Sequence, residues 1–406
     1  MEVAVALALL FLCVLLLASG AIAFLLIRHC LAALHRRRSS ADADPEARAP
    51  AAPCHRQPQP AAAAAKQQQT LLIASVKKEA QQQQQAPRRL AWREVEALTG
   101  GFDEAAVVGR GGSSTVYLAR LLDGSPVAIK VHRWCGGERR LRAFRQELDL
   151  LRRLRHPNIV ALLAYSDDHE EEGALVLEYL AGGTLADALH GATAGSAPLL
   201  SWPQRMRILH DVACALEHLH DGGGGGTSTA VVHGDVSASN VLLDGAGRGA
   251  RLCDLGSACE GFSAAVAPAR AAVAVGSPGY ADPFFLRTGI VSSKSDVYGF
   301  GVLLLEAVTG LPAAGSGENL TARILPRVRA RGVAGLVDDR LIGDGGYDEE
   351  EADDVARLAV ECVAAQPGLR PSMAQVRAAI AEKAARSIAM AGYGHHIQLS
   401  KLLELT

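Results

Sequence analysis

The chain contains 406 residues, and its 41 Lys and Arg residues nearly balance its 43 Asp and Glu residues, so the formal net charge is −2 at pH 7. A chain with this balance is not expected to bind nucleic acid, which requires a strongly basic surface. The eight cysteines include no C-x-x-C pair, which argues against a zinc site or a disulfide framework and is typical of a reducing compartment. The first part of the chain is too biased in composition to pack a core, so we predict one folded domain of roughly 280 residues.

The first element in chain order is an apolar segment from Val3 to Ile27, which contains no charged residue. A helix rises about 1.5 Å per residue, so this segment is long enough to cross a hydrocarbon core of about 30 Å. Arg28 follows directly, and positive charge after a span predicts a cytoplasmic C-terminal side. We therefore predict an extracellular stub at residues 1–2, a transmembrane helix at residues 3–27 that attaches the chain to the membrane, and a single-pass location in the plasma membrane with a cytoplasmic domain.

A cleaved signal peptide is the alternative interpretation of this segment. Residues 21–23, Ala-Ile-Ala, could form a cleavage site. A signal peptide, however, begins with basic residues and has an apolar region of about 7–15 residues. Glu2 stands where a basic residue is expected, and the apolar run is longer, so the membrane anchor is the favoured interpretation.

Residues 28–101 are predicted to be a linker. The segment starts with basic residues next to the predicted membrane helix and continues with Ala, Pro and Gln, including the run Gln81–Gln85. It contains too few large apolar residues to offset the entropy that is lost when a backbone is ordered. We therefore predict a basic juxtamembrane stretch and a disordered linker, then a folded domain at residues 102–383 and a C-terminal tail at residues 384–406. The tail could dock on the folded domain or on a partner.

The folded domain begins with a strand, a glycine-rich turn and a second strand. The turn contains Gly109, Gly111 and Gly112, and glycines allow backbone amides to approach phosphate oxygens without a side chain between them. Ser114 occupies the third glycine position of G-x-G-x-x-G, so this motif alone is weak evidence for a phosphate site. A third strand carries Lys130 about twenty residues later, and this spacing favours a phosphate-binding lysine over a solvated residue at a sheet edge.

A long helix is predicted from Arg139 to His156, and Glu147 lies within it. A buried strand, Leu175–Leu180, is predicted after the helix. The apolar residues of the helix recur at spacings of three and four, as expected for one buried face: Leu141, Phe144, Leu148, Leu151 and Leu154.

Two further motifs follow in the second half of the domain. The stretch from His233 to Asn240 places Asp235 five residues before the asparagine, and an Asp-Leu-Gly tripeptide begins at Asp254. A Val-Ala-Ile-Lys segment that ends at Lys130 precedes both. One such short motif means little, but three of them in this order are hard to obtain by chance.

From about Asp103 to Glu382 the chain resembles a protein kinase domain, and it is most similar to the plant receptor-like serine/threonine kinase group, of the non-RD type and without an ectodomain. The resemblance implies an α+β, two-lobed protein kinase fold. A small antiparallel-sheet lobe with one long helix would join a large, mostly helical lobe, after the transmembrane helix and the disordered linker. It also implies that ATP and Mg²⁺ bind between the lobes and that proteins are the substrates.

The resemblance assigns a role to each motif residue. Lys130 would hold the α- and β-phosphates of ATP, and Glu147 would orient that lysine. Asp235 would accept the proton of the substrate hydroxyl, while Asn240 and Asp254 would bind magnesium. The other cofactor-binding residues that the resemblance implies are Val108, Gly109, Gly111, Val116, Ala128, Glu178, Leu180 and Leu242.

The chain departs from the kinase pattern at three further positions. Gly234 stands where many kinases have the arginine that pairs with a phosphorylated activation loop, so weak dependence on loop phosphorylation is expected. Ser237 stands where most serine/threonine kinases have a lysine near the transferred phosphate. Phe284 replaces a glutamate that pairs with the arginine matching Arg370, so a buried Arg370 would need another partner.

Two functions of different class are compatible with these residues. The first is a membrane-anchored serine/threonine kinase, because the five residues assigned to ATP, magnesium and the substrate hydroxyl are present. The second is a pseudokinase scaffold that binds nucleotide or partners with negligible turnover, because of four departures from the kinase pattern: Ser114, Gly234, Ser237 and Phe284. We favour the kinase, and we expect a co-receptor or ligand-binding receptor kinase as its partner in signalling.

Overall fold

The computed structural model describes most of the chain between residues 87 and 391. The described residues belong to one compact unit, residues 75–406. The predicted transmembrane helix, the predicted linker up to residue 86 and the last part of the predicted tail lie outside the described residues. The described ranges are 87–112, 114–135, 137–191, 200–223, 229–245, 249–260, 267–268, 276–315, 317–342 and 346–391.

A sheet of six strands forms the small lobe, in the order β1-β5-β6-β4-β3-β2. Neighbouring strands are antiparallel except β1 and β5, which run parallel. Lys130 lies on β4, which has a partner strand along both edges and is therefore held rigidly. The strands are β1 (Arg88–Arg89), β2 (Val107–Arg110), β3 (Ser114–Arg120), β4 (Pro126–Arg133), β5 (Leu162–Ser166) and β6 (Glu172–Glu178).

The small lobe begins earlier than the sequence predicts. Residues 88–98, which the prediction places in the disordered linker, form β1 and helix α1 (Trp92–Leu98). Leu90 and Val95 are buried with Tyr117 against one face of the sheet. Two apolar residues in a polar stretch are a weak sequence signal, and they acquire a packing partner only when the sheet has formed.

The long helix of the small lobe is α2 (Glu138–Arg153). It ends before the predicted boundary, and Leu154 already has an extended backbone, because a proline at position 157 of a continued helix would clash with the carbonyl of Arg153. The predicted apolar face is buried at Phe144, Leu148 and Leu151.

The large lobe is mostly helical, with α4 and α6 at its centre. Most of α6 is buried, and apolar side chains of both helices belong to one core cluster. The helices are α3 (Leu185–His190), α4 (Trp202–His220), α5 (Pro283–Thr288), α6 (Ser293–Thr309), α7 (Leu320–Arg331), α8 (Glu349–Cys362) and α9 (Met373–Lys383). The described residues thus adopt the two-lobed α+β architecture that the resemblance implies.

Three pairs of short strands shape the loops of the large lobe, namely β7 with β10, β8 with β9, and β11 with β12. Each pair is antiparallel. The pair β8–β9 joins the segment that carries Asn240 to the segment that carries Asp254. The strands are β7 (Val231–Val232), β8 (Val241–Leu243), β9 (Ala250–Leu252), β10 (Cys259–Glu260), β11 (Ala267–Pro268) and β12 (Ile290–Val291).

The end of the described chain packs on the large lobe. Residues 385–391 are helical, and Ser387 is 4% exposed. The backbone N of Ser387 donates to Glu351 Oε1 on α8 at 3.3 Å, and the Ser387 hydroxyl donates to the same carboxylate. Of the two open possibilities for the tail, docking on the folded domain therefore holds for its described part.

No helix among the described residues has both the length and the apolar character needed to span a membrane. The predicted span at residues 3–27 was not part of that search, because it lies outside the described residues.

Candidate active site

Three charged side chains from three different elements meet at Lys130. Its Nζ lies 2.9 and 3.1 Å from the carboxylate oxygens of Glu147 on α2, and 2.8 Å from Oδ1 of Asp254, which follows β9. Lys130 and Glu147 are 7% and 1% exposed, whereas 46% of the Asp254 side chain is exposed. Asp254 is therefore the member of this group that is open to a ligand.

Both carboxylates stabilise the charge of Lys130, whereas burial raises the pKa of the Glu147 carboxyl above its usual range. Burial alone would lower the pKa of Lys130, but the Glu147 and Asp254 carboxylates outweigh burial and hold this pKa above its usual range. Burial would likewise raise the pKa of Asp254, but Lys130 beside it holds the pKa of that carboxyl below its usual range. Lys130 and Asp254 are therefore charged at neutral pH, as a site for phosphate and metal requires.

The β8–β9 pair brings Asn240 and Asp254 to one end of a short ladder. Val241 lies opposite Leu252, and the backbone N of Cys253 donates to the Asn240 carbonyl at 2.9 Å. The residues on either side of the ladder must then lie close together, although they are far apart in sequence. Asp254 itself has φ +63°, a left-handed conformation that an aspartate tolerates better than most residues.

Asp235 is held at both carboxylate oxygens. Oδ1 accepts a hydrogen bond from the backbone N of Ser277 at 2.8 Å, and Oδ2 accepts one from Asn240 Nδ2 at 3.1 Å. The same Asn240 amide donates to the Asp235 carbonyl at 2.8 Å. The carboxylate is partly exposed, so it is fixed in orientation and still accessible to a substrate hydroxyl. Sequence reasoning missed Ser277, which lies 42 residues from Asp235.

A buried aspartate on α6 supports the segment before Asp235. Asp296 is 1% exposed, and its two oxygens accept hydrogen bonds from the backbone N atoms of His233 at 2.8 Å and Gly234 at 2.9 Å. His220 Nε2 lies 2.8 Å from the same carboxylate. These bonds satisfy the buried backbone N–H of His233 and the part-buried one of Gly234, and they hold the segment that precedes Asp235 against α6.

Gly234 has a conformation that excludes a side chain. Its φ is +81°, and a Cβ atom at this position would lie 2.6 Å from the backbone O of Ser257. An arginine at position 234 would therefore require a different backbone conformation. The observed conformation of residues 234 and 257 is compatible only with glycine at position 234.

We expect the substitution Gly234→Ala to lower the free energy of unfolding by about 3 kcal/mol, because it adds a steric clash to the cost of a left-handed backbone. Gly101→Ala is the matched control: Gly101 has φ +74° and nothing within 4 Å of its Cβ position. The control should cost only about 1 kcal/mol. Urea-induced unfolding of the two variants measures the difference, and equal costs would contradict the steric explanation.

Ser237 bonds to another neutral side chain. It is fully buried, and Ser277 Oγ donates to Ser237 Oγ at 3.0 Å. The next residue, Ala238, donates its backbone N–H to the Tyr280 hydroxyl at 3.1 Å. Hydroxyl groups of Ser277 and Tyr280 thus join the segment after residue 276 to residues 237–238. The resemblance expects a lysine at position 237, near the transferred phosphate.

Asp282 is the charged partner of Arg370, in place of the glutamate that is absent at position 284. Arg370 Nη1 and Nη2 donate to Asp282 Oδ2 and Oδ1, both at 2.8 Å, and the two side chains are 0% and 1% exposed. The guanidinium also donates to the backbone carbonyls of Ala364 and Lys294 at 2.8 Å. The Asp282 carboxylate, two residues before Phe284, therefore neutralises Arg370. The sequence analysis did not identify this partner.

The predicted nucleotide-binding residues lie on the strands that border the lobes. Val116 on β3 is paired with Lys130, and Ala128 on β4 is paired with Leu177. Glu178 is predicted to contribute its backbone to the nucleotide site, and its carboxylate accepts bonds from Ala161 N and Arg251 Nε, each at 2.8 Å. That side chain is therefore already used within the protein. Val108 and Gly109 lie on β2, and Val108 is half exposed. Gly111 follows β2 and donates its backbone N–H to the Ser114 carbonyl. Leu180 is buried, and Leu242 lies on β8.

The oxygen atoms of Asn240 and Asp254 suit a magnesium ion. Mg²⁺ prefers carboxylate, carbonyl and water oxygens, and it is commonly held by one or two carboxylates together with substrate phosphates. Asp254 supplies a charged and partly exposed carboxylate. The Asn240 nitrogen already donates to Asp235, so its carbonyl oxygen is the end suited to a metal. The residues present therefore fit the metal that the resemblance implies.

Comparison with known proteins finds plant kinases of similar sequence. A salt tolerance receptor-like cytoplasmic kinase of Oryza sativa subsp. japonica is 50% identical over 301 residues, which are 73% of this chain and 80% of the relative. A probable receptor-like protein kinase of Arabidopsis thaliana is 42% identical over 304 residues, 70% of this chain and 85% of the relative. A leucine-rich repeat receptor protein kinase of Oryza sativa subsp. japonica is 38% identical over 314 residues, 72% of this chain but only 21% of the relative.

The predicted single-pass location in the plasma membrane is wrong by this comparison. The relative with 50% identity over most of both chains is named a receptor-like cytoplasmic kinase. The prediction relied on hydropathy and on the charges after residue 27, and such a pattern describes only one segment of the chain. That segment lies outside the described residues.

The profile of the protein kinase domain matches residues 102–379 of the chain, which cover most of both lobes and every motif residue described above. The match agrees with the geometry at Lys130 and Asp235 and with the similarity to plant relatives. The chain therefore belongs to the protein kinase family, in the plant receptor-like kinase group, and it is a protein serine/threonine kinase.

Proposed function

We propose that the chain transfers the γ-phosphate of ATP to serine or threonine hydroxyls of proteins, with the motif residues in the roles described below. The observation that carries this proposal is the buried contact of Lys130 with both Glu147 and Asp254. A lysine so placed can bind phosphate only if its carboxylate partners keep it charged and oriented, and these partners do so. Phosphoryl transfer depends mainly on such positioning and on charge neutralisation.

The ATP phosphates would be held from two sides. Lys130 would bind the α- and β-phosphates, with Glu147 fixing the ammonium group. Gly109 and Gly111 would allow backbone amides to approach the phosphates from the small lobe. Asp254 and Asn240 would hold magnesium, which would supply positive charge that neutralises the phosphates.

The adenine ring would lie between apolar residues of the two lobes. Val116 and Ala128 on neighbouring strands of the small lobe would cover one side, and Leu242 on β8 would cover the other. Leu180 lies two residues after the end of β6, where the chain passes to the large lobe, and its backbone would bond the ring. An apolar slot with a few polar groups at its edge is the usual form of such a site.

Asp235 would accept the proton of the substrate hydroxyl. Its two oxygens are oriented by Ser277 N and Asn240 Nδ2, which leaves the remaining lone pairs for a hydroxyl donor. A base that is held in place before the substrate arrives loses little entropy during the reaction.

Turnover is expected to be slower than in a kinase with a lysine at position 237. Ser237 places a neutral hydroxyl where a positive charge would face the developing negative charge of the transferred phosphate. The loss of one preorganised donor of this kind costs about 3–4 kcal/mol, or two to three orders of magnitude in rate. Low turnover with intact nucleotide binding is therefore compatible with this site.

Protein substrates follow from membership of the family, and we propose a co-receptor or ligand-binding receptor kinase as a partner. Support comes from the similarity to receptor-like kinases, including one with leucine-rich repeats of which this chain covers only 21%.

The proposed function is tested by phosphate transfer from labelled Mg-ATP, measured with the full chain on a general protein substrate and on itself. We expect transfer by the wild type, loss of transfer when the metal is chelated, and a decrease of at least about 100-fold in Asp254→Asn, because a metal ligand loses its charge. Asp123→Asn, in an exposed turn, is the matched control and should keep wild-type activity. A folded wild type that binds ATP without any transfer would contradict the proposal and indicate a pseudokinase scaffold.

A further inference from the structure

Glu260 lies in the segment that follows Asp254 and is bound by the long helix of the small lobe. Arg153, the last residue of α2, donates from Nη1 to Glu260 Oε1 at 2.9 Å and from Nη2 to Oε2 at 2.7 Å. Thr229 Oγ1 donates to Oε1 at 2.6 Å. A two-pronged arginine–carboxylate contact of this kind has a defined geometry, unlike most ion pairs at a surface.

The same helix carries Glu147, the partner of Lys130. Arg153 and Glu147 therefore belong to one rigid element, and Gln146 of that element donates its side-chain amide to the Ala258 carbonyl. Asp254, Ala258 and Glu260 lie within seven residues of one another on the opposing segment. Helix and segment are thus joined at two points beyond the Lys130 group, one from residue 146 and one from residue 153.

The Glu260 carboxylate places a negative charge beside the end of α2. Gly234 stands where an arginine would receive a loop phosphate, and its backbone geometry excludes a side chain. Arg153 holds the pKa of the Glu260 carboxyl below its usual range, so this carboxylate is charged at neutral pH. A fixed negative charge therefore already faces an arginine of the helix without any modification.

We propose that Arg153 and Glu260 are positioning residues that hold α2 on the segment after Asp254, so that Glu147 stays in contact with Lys130 without phosphorylation of the activation loop. This inference rests on the proposed function and names a regulatory feature of the same site. Neither residue touches the nucleotide or substrate; their effect is transmitted through the helix to Glu147. The contact between Arg153 and Glu260 forms between two side chains of the chain itself, without a bound substrate or a phosphate group.

The alternative is an ordinary surface ion pair that contributes little to stability or turnover. Arg153 also contacts Asp149 one turn earlier, at 2.9 Å, and 45% of its side chain is exposed. Exposed pairs of this kind contribute about 0.2–1 kcal/mol. The two readings differ in what happens to α2 and to turnover when only one partner is neutralised.

The test uses the full chain, treated with phosphatase, as wild type, Arg153→Gln, Glu260→Gln and the double variant. We expect each single substitution to lower kcat about fivefold with little change in KM for ATP, and the double variant to match the singles, because residues that act as a pair are not additive. Amide hydrogen exchange in α2 should become about threefold faster in the same three variants. Arg142→Gln, on the exposed side of α2, is the matched control and should change neither quantity.

Wild-type kcat and wild-type exchange in both single variants would overturn the inference, as would effects that simply add in the double variant. Equal losses in the Arg142→Gln control would point to general weakening of the helix and would also overturn it. If the wild type transfers no phosphate, the proposed function fails, and hydrogen exchange alone then decides whether this contact holds the helix.

Discussion

Asp235→Asn is expected to lower kcat for phosphate transfer by about three orders of magnitude while leaving the affinity for Mg-ATP nearly unchanged. The substitution keeps the shape of the side chain but removes the charged oxygen that would accept the hydroxyl proton. The single amide oxygen of the new asparagine can still accept from Ser277 N, and Asn240 Nδ2 keeps its bond to the backbone carbonyl of residue 235, so the loop should keep its structure although one side-chain bond is lost. Single-turnover transfer and nucleotide titration of the same sample measure the two quantities separately.

The control for this variant is Asp167→Asn, which alters an aspartate of the surface loop after β5. It should retain full transfer, because its side chain lies at the surface and is paired with the exposed Arg89. A variant at position 235 that kept more than about a tenth of wild-type turnover would remove the proton-accepting role from this residue. Loss of nucleotide affinity along with turnover would instead indicate that the loop had collapsed.

Asp282→Asn is expected to destabilise the large lobe by about 3–5 kcal/mol, the usual cost of leaving one member of a buried ion pair without its partner. Arg370 is 2% exposed, and its remaining acceptors are the neutral carbonyls of Ala364 and Lys294. The amide of asparagine can still accept the bond from Phe284 N that caps α5, so the variant removes charge and leaves the cap. Urea-induced unfolding measures the change in free energy.

Two further substitutions separate charge from capping at this position. Asp348→Ala removes the partly buried N-cap of α8 and should cost only about 1 kcal/mol. Phe284→Glu, introduced into the Asp282→Asn variant, should recover part of the lost stability, because it places a carboxylate where the kinase resemblance expects one. A small cost for Asp282→Asn, close to that of the α8 cap, would contradict the assignment of Asp282 as the essential partner of Arg370.

The amino-acid sequence determined the overall architecture of the described residues and its main chemical residues. Local patterns predict the strand, glycine turn and strand, the position of Lys130 and the long helix that carries Glu147. Hydrophobic periodicity and turn residues can be recognised within short segments, so no distant part of the chain is needed. The sequence was misleading where the pattern was weak: residues 88–98 pack on the sheet although their composition resembles that of the linker before them.

Only the tertiary structure decided which partners the buried charges find. Asp282 and Arg370 are 88 residues apart, Asp235 and Ser277 are 42 apart, and Arg153 and Glu260 are 107 apart. No local pattern specifies such pairs, because a buried charge requires some partner but its own segment does not determine which one. The backbone of Gly234 is a similar case: glycine permits many conformations, and packing against Ser257 selects the one that excludes a side chain.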